Sequence, residues 1–345
     1  KIPDITETSN AQLESLARMP GAALGSSRYK LLPNDLEPLL KTLQSHDIRI
    51  IHIIGGNDSA ETGLEISKAT KEINYDLKVI NLPKTIDNDI VLTDHSPGYG
   101  SAARFISQAA FGAGRDAKAM GINSPICIIE VMGRDSGWLA AASSFYKKNE
   151  YDAPHFIGVP EVEFSEEDFL ISIETSYRNN GYAIAVVAEK IKSKKGILRD
   201  HQSAKFTDPF GHEYYESPSK QLSGLVEKTL GVRCRWEKPG TIQRSLMDSI
   251  SSTDREEAYD IGKKAIEMSK LEMSEIILSI HRSDQATYEY SIGYADLRHV
   301  AGKTKYLPKK YRPNNQGDTS DSFKNYLQPL LGKPMYDTGT IFNLQ

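Results

Sequence analysis

The chain reads as an α/β protein built on parallel sheets, and three observations carry this. Short apolar runs alternate with helix-like stretches almost to the end of the chain, as parallel sheets flanked by helices require. Successive runs end in polar, glycine-bearing loops, which is where open α/β sheets place their ligands. The 345 residues are enough for two such domains, each burying its own core.

The first strand is the β-branched run Ile48 to Ile54, ending at Gly55-Gly56-Asn57-Asp58-Ser59. A helix follows from near Ser59 to about Ile73. Two glycines let a backbone approach a phosphate, and the helix aims its free N–H groups at the same place. The second strand, Lys78 to Leu82, runs into Pro83-Lys84-Thr85-Ile86-Asp87-Asn88-Asp89, and the third, Pro125 to Val131, into Met132-Gly133-Arg134-Asp135-Ser136-Gly137-Trp138 before a helix from Leu139 to Tyr146. Further strands are expected at His155 to Val159, Tyr182 to Ala188 and Ile276 to Ile280. Helices are expected around Ser165 to Asn179, Ser217 to Leu230 and Asp254 to Lys270. The stretch from Lys190 to Gly211, with Lys192, Lys194 and Lys195, reads as a solvated loop, and 303–317 as an extended connection.

Composition excludes several classes. Hydrophobic residues are 39% and charged residues 26% of the chain, ordinary for a globular protein in water. A net charge of −4 argues against broad nucleic-acid binding, so any anion must be recognised locally. No apolar run has membrane-spanning length and no signal-peptide pattern opens the sequence. Cys127 and Cys234 lack metal-ligand spacing and read as buried small apolar residues, which suits a reducing cytoplasm.

The loop after the second strand is the richest in chemistry. A cation, a hydroxyl and two carboxylates within seven residues are the equipment of phosphoryl transfer. One carboxylate can accept a proton from an attacking hydroxyl, another can hold Mg²⁺, and the lysine can neutralise phosphate oxygens. A DND triplet alone is more often a turn or a cap; the neighbouring strand-end loops change that.

Taken together these segments resemble the phosphofructokinase family, in its pyrophosphate-dependent branch. The resemblance runs from Gly21-Ala22-Ala23-Leu24-Gly25-Ser26-Ser27-Arg28 through Pro97-Gly98-Tyr99-Gly100-Ser101-Ala102, Val186-Val187-Ala188-Glu189 and Ile242-Gln243-Arg244 to His281-Arg282. It implies two similar Rossmann-like three-layer domains with mainly parallel sheets, facing each other across a cleft. Residues 1–100, completed by about 254–345, would bind the donor, and residues 101–253 the sugar phosphate. It implies that Asp87 is the base for the 1-hydroxyl of fructose 6-phosphate, with Lys84, Asp58 and Thr85 completing the catalytic group. Gly56, Asn57, Asp58, Arg28 and Lys84 would hold the donor. Thr85, Asp87, Met132, Gly133, Arg134, Glu189, Gln243, Arg244 and Arg282 would hold the sugar phosphate. Asp58, Asp89 and Asn57 would hold Mg²⁺. A homodimer or homotetramer is implied as well.

Asp58 and Lys84 speak to the donor, because ATP-using relatives typically carry glycine at the first position and often at the second. A carboxylate about 4 Å from an α-phosphate costs roughly 4 kcal/mol at an effective dielectric near 20. Pyrophosphate has no such third phosphate, so pyrophosphate is the expected donor. Asn57 departs from the family's more common aspartate, Pro125 stands where bacterial ATP enzymes place an intersubunit arginine, and Thr241 replaces a frequent tyrosine. The family's leading strand and glycine-rich loop do not precede Lys1, so the sequence reads as part of a longer polypeptide. An ATP-dependent kinase and a non-catalytic regulatory subunit are the competing readings.

Overall fold

The computed structural model describes residues 8–27, 29–194, 196–198, 206–207, 213–214, 217–283 and 287–333. In chain order come helices α1 (Asn10–Leu16) and α2 (Pro33–Ser45), strand β1 (Ile50–Gly55), α3 (Asn57–Glu72), β2 (Lys78–Pro83) and α4 (Tyr99–Met120). Next are β3 (Ile126–Val131), α5 (Trp138–Ala142), β4 (Phe156–Gly158), α6 (Glu166–Asn180) and β5 (Ala183–Ala188). Two small ribbons follow, β6 (Lys192–Ser193) with β7 (Gly196–Ile197) and β8 (Phe206–Thr207) with β9 (Glu213–Tyr214). The chain then forms α7 (Pro218–Leu230), β10 (Cys234–Glu237), α8 (Ser252–Lys270), β11 (Ile276–Arg282), β12 (Tyr290–Asp296) and α9 (Asp321–Leu327).

Two four-stranded sheets organise these elements. The first has the order β1-β2-β11-β12, and the second β10-β3-β5-β4. Every pairing in them is parallel except β11 with β12. β3 and β5 are apolar along nearly their whole length because both faces are covered by helices, and every residue of each is buried. In the first sheet, Leu40 and Leu43 of α2 and Ile66 and Ala69 of α3 pack on Val79. Ile261, Ala265 and Met268 of α8 pack with Ile80 on the other face, which makes three layers. Leu307, Phe323, Tyr326 and Leu330 join the core of the second sheet. The described stretch from Leu307 to Leu331 therefore adds its apolar side chains to the second sheet's core.

Most expected elements appear within two or three residues of their expected ends. The differences have local causes. α5 stops at Ala142, not Tyr146, because the hydroxyls of Ser143 and Ser144 donate back to Ala140 O and Ala141 O at 2.6 and 3.0 Å, competing with the helical ladder. β10 and β12 lie outside the expected apolar runs. Both are edge strands, and their half-exposed sequences, Cys-Arg-Trp-Glu and Tyr-Ser-Ile-Gly-Tyr-Ala-Asp, carry too few apolar residues to stand out.

α4 begins at a glycine with no capping side chain of its own, Gly98 at φ 107°. Its cap comes from far along the chain: buried Asp254 accepts from Gly98 N at 2.7 Å and from Ser101 N at 3.1 Å, satisfying first-turn donors. The close approach leaves no room one residue into the helix, where a Cβ on Gly100 would lie 2.4 Å from Leu330 O. Gly100→Ala is therefore expected to destabilise the fold by about 2–3 kcal/mol, since overpacking against backbone outweighs the ~1 kcal/mol propensity gain of alanine. Urea unfolding midpoints of the two proteins check this.

Candidate active site

The register of β1 on β2 sets Gly55 opposite Pro83, so the two strands end level. Their loops consequently leave the sheet side by side. Lys84 N donates to Gly55 O at 3.0 Å, and a Cβ on Gly55 would lie 1.9 Å from Ser59 Oγ, so only glycine lets α3 start this close to the strand. Gly56 then caps α3, which places Asn57 and Asp58 in its first turn. Thr85 bridges to Gly98, and its hydroxyl accepts from Asp87 N at 3.1 Å. In the second sheet Val131 lies opposite Ala188, so the Met132–Gly133–Arg134 turn and Glu189 also leave together.

Arg134 joins the two sets of loops. Its backbone φ is 50° and that of Gly133 is 141°, a turn held by Arg134 N donating to Glu189 Oε1 at 3.0 Å. A Cβ on Gly133 would lie 2.6 Å from Ser136 O. The guanidinium donates from Nη1 to Asp58 Oδ2 at 3.2 Å and lies 3.9 Å, through Nε, from Asp87 Oδ2. Ser136 Oγ donates to Asp87 O at 2.9 Å, so the turn also supports the Asp87 backbone.

Asp87 has the electrostatics of a base. Its side chain retains 13% of its surface, enough for a hydroxyl to reach it. Burial, and then the neighbouring Asp89 charge, push its carboxyl up to about 7, against the pull of Arg134. Lys84 keeps a solvent-exposed flank, yet desolvation and then Arg244 hold its ammonium below the ordinary lysine range, with Asp87 opposing. Burial raises Asp89 too, opposed first by Arg134.

Asn57 and Asp89 face each other, Asn57 Nδ2 donating to Asp89 Oδ2 at 3.2 Å. The other oxygen of each, Asn57 Oδ1 and Asp89 Oδ1, is buried without a hydrogen-bond partner. Two orphaned, hard oxygen atoms fit a small divalent cation, which binds through one or two protein oxygens and completes its shell with water and phosphate. Asp58 is engaged by Arg134, and no group of three or more His, Cys, Asp or Glu side chains able to hold a metal occurs among the described residues.

Of the remaining expected residues, Gln243 is buried and accepts from Met132 N at 3.1 Å. It fixes the turn from behind. Arg244, next to it, is exposed, and its charge reaches both Lys84 and Asp87. Arg282 is not drawn directly to the loop: its Nη1 donates to Tyr326 O at 2.7 Å and its guanidinium lies over the Tyr326 and Tyr288 rings. Arg28 lies outside the described residues. Lys190 and Lys192 reach Asp135 at 3.0 and 3.4 Å, so part of the polar stretch borders the site. Tyr326 and Lys305 support these loops without a sequence signal, because each comes from another segment and neither belongs to a local motif.

Cys127 and Cys234 are buried and free, and among the described residues no helix is long and apolar enough to cross a membrane.

Fold and site define an α/β protein whose polar loops leave the carboxyl ends of strands in two mainly parallel sheets and are joined by Arg134. The family described as Phosphofructokinase matches residues 2–269, and the chain belongs to that family. It is 36% identical over 335 residues to a pyrophosphate–fructose 6-phosphate 1-phosphotransferase of Xanthomonas campestris pv. campestris, covering 95% of this chain and 80% of that one. The protein of the same name from Halomonas elongata is 32% identical over 335 residues, covering 95% and 79%. The crystal structure of pyrophosphate-dependent phosphofructokinase from Marinobacter aquaeolei has a TM-score of 0.82 and 33% identity, covering 97% of this chain and 81% of that one.

Proposed function

We propose that this chain transfers a phosphoryl group from pyrophosphate to the 1-hydroxyl of fructose 6-phosphate, giving fructose 1,6-bisphosphate and orthophosphate. The observation that carries this reading is Asp87, a carboxyl held near neutrality at a strand end with Lys84 and Arg134 beside it. The names of the relatives from Xanthomonas and Halomonas support both donor and acceptor.

Asp87 takes the proton of the 1-hydroxyl as that oxygen attacks phosphorus, and the bond from phosphorus to the bridging oxygen breaks. Thr85 positions the reacting groups, and Lys84 offsets charge as it develops on the donor. Arg134, released from Asp58 and Asp87 when substrate arrives, binds phosphate oxygens. Met132, Gly133 and Glu189 hold the sugar, with Gln243 fixing their turn, and Arg244 and Arg282 neutralise the 6-phosphate. Gly56, Asn57 and Asp58, where the first sheet ends, would hold the donor, with Arg28 as a further donor contact, and the loops of the second sheet would hold the sugar. Asn57 and Asp89, with Asp58 once Arg134 leaves it, would hold Mg²⁺, which supplies charge neutralisation on the donor. The reaction is reversible, because the donor is a less energetic one than ATP.

Assembly as a homodimer or homotetramer belongs to the same reading. Exposed Trp236, Ile242, Leu246 and Met247 lie on one short segment and suit burial between copies. The two free buried thiols suit a reducing cytoplasm.

The test is fructose 1,6-bisphosphate formation by the full-length protein with Mg²⁺, comparing pyrophosphate with ATP. Pyrophosphate is expected to give a kcat/KM at least about a hundredfold higher. A protein that binds fructose 6-phosphate but turns over neither donor would instead be a regulatory subunit.

A further inference from the structure

Lys305 stands 217 residues from Asn88 in sequence, and the fold places it under the Asp87–Asp89 loop. Its backbone N–H donates to Asp89 O at 2.7 Å. Its ammonium donates to Asn88 Oδ1 at 3.1 Å, to Thr93 O at 3.2 Å and to Asp94 O at 2.8 Å. Those acceptors use the full donor capacity of an ammonium group. The Trp138 ring, 5.1 Å from Nζ, covers another side, and Trp138 Nε1 donates to Lys305 O at 3.3 Å.

The grip matters because of the backbone it holds. Asn88, between the two carboxylates, has φ 55°, a left-handed conformation that asparagine adopts more readily than most residues and that fixes the direction of the loop. Its side chain is held at both ends, Oδ1 by Lys305 and Nδ2 by donation to Tyr326 OH at 3.0 Å. Tyr326 OH donates in turn to Asp94 O at 3.1 Å. Lys305 thus ties residues 88, 89, 93 and 94 to one buried point.

The geometry points to Lys305 as a positioning residue of the reaction: through Asn88 and the Asp89 backbone it holds Asp87 and Asp89 at the spacing that proton removal and cation binding require. This deepens the proposed function and rests on it. The Lys305 ammonium spends its three donors on Asn88, Thr93 and Asp94 and keeps none for a substrate, so its removal lowers turnover through the loop and leaves sugar binding largely intact.

The experiment compares Lys305→Met with a matched control in the full-length protein. Lys147→Met is the control, because the Lys147 ammonium likewise donates to backbone carbonyls, Asp152 O at 2.7 Å and Pro154 O at 2.8 Å, away from the loop. Hydrogen exchange over residues 86–95 is expected to rise at least about tenfold in Lys305→Met and to stay unchanged in Lys147→Met. With pyrophosphate, Lys305→Met should lose about thirtyfold or more in kcat, raise the Mg²⁺ requirement, and keep the fructose 6-phosphate KM within about threefold. Lys147→Met should keep kcat within about threefold even if its Tm falls as far. Unaltered exchange over 86–95 in Lys305→Met, or equal loosening by Lys147→Met, overturns the proposal. If Lys305→Met does not fold, Asn88→Gly removes both side-chain bonds while tolerating the backbone angle, and unaltered exchange there overturns it equally. A wild type inactive with pyrophosphate would defeat the functional reading alone, since exchange still decides the role of Lys305.

Discussion

Asp87→Asn should lower kcat about a thousandfold or more while changing the fructose 6-phosphate KM by less than about threefold, because it removes the base and keeps the shape. The backbone bond from residue 87 to Thr85 Oγ1 and the support from Ser136 Oγ do not depend on the carboxylate. The pH dependence supplies a second signature. With the Asp87 carboxyl pushed up to about 7, the base is protonated below that value. The kcat/KM of the wild type should then fall tenfold per unit as pH drops below about 7, at a lower pH once a cation beside Asp89 stabilises the anion.

The same shift has a stability consequence of opposite sense. Between the ordinary carboxyl value of 3.8 and about 7, the folded state holds a proton on Asp87 that the unfolded state has released. Stability therefore falls as pH rises through this window, by an amount on the order of a few kcal/mol. Asp87→Asn lacks this penalty, so it should unfold at a higher denaturant concentration than the wild type at pH 8, with the gap closing below pH ~4. A variant that is inactive and also less stable at pH 8 would contradict the role given to Asp87.

The double substitution Asp58→Gly, Lys84→Gly should exchange donors. Losing the Lys84 charge is expected to reduce kcat with pyrophosphate by about a hundredfold or more, and losing Asp58 should raise kcat/KM for ATP at least about tenfold. The structure tempers the simple repulsion argument. Asp58 is paired with Arg134 at 3.2 Å and its side chain is 34% exposed, so its full charge confronts a nucleotide only after Arg134 has turned to substrate. The single variants separate the two effects: Asp58→Gly should raise kcat/KM for ATP while also lowering the pyrophosphate rate through the lost Mg²⁺ oxygen, whereas Lys84→Gly should lower the pyrophosphate rate without the gain for ATP. Steady-state kinetics with each donor decide the matter, and an unchanged pyrophosphate rate in the double variant would remove the donor argument.

Much of the site was legible because its chemistry lies in contiguous segments at strand ends. Ile50–Gly55, Lys78–Pro83 and Ile126–Val131 stand out as apolar runs, and the polar residues that follow each are the ones the folded chain gathers. Where the sequence was less informative, the cause was again physical. The edge strands Cys234–Glu237 and Tyr290–Asp296 bury too little to carry an apolar signature. Arg282 sits in a motif block, yet its partners are Tyr326 and Asp94, through packing that no local pattern describes.

Sequence by itself therefore determined the layered α/β architecture, the family and the loops that bear the chemistry, because periodicity, glycine positions and side-chain charge act over a few residues. Tertiary structure decided what those loops do to one another. Arg134 meets Asp58 across 76 residues of chain, Asn57 meets Asp89 across 32, and Lys305 reaches Asn88 across 217. Such distances are fixed by strand register and core packing, and it is this enclosure that desolvates Asp87 and lifts its carboxyl toward neutrality.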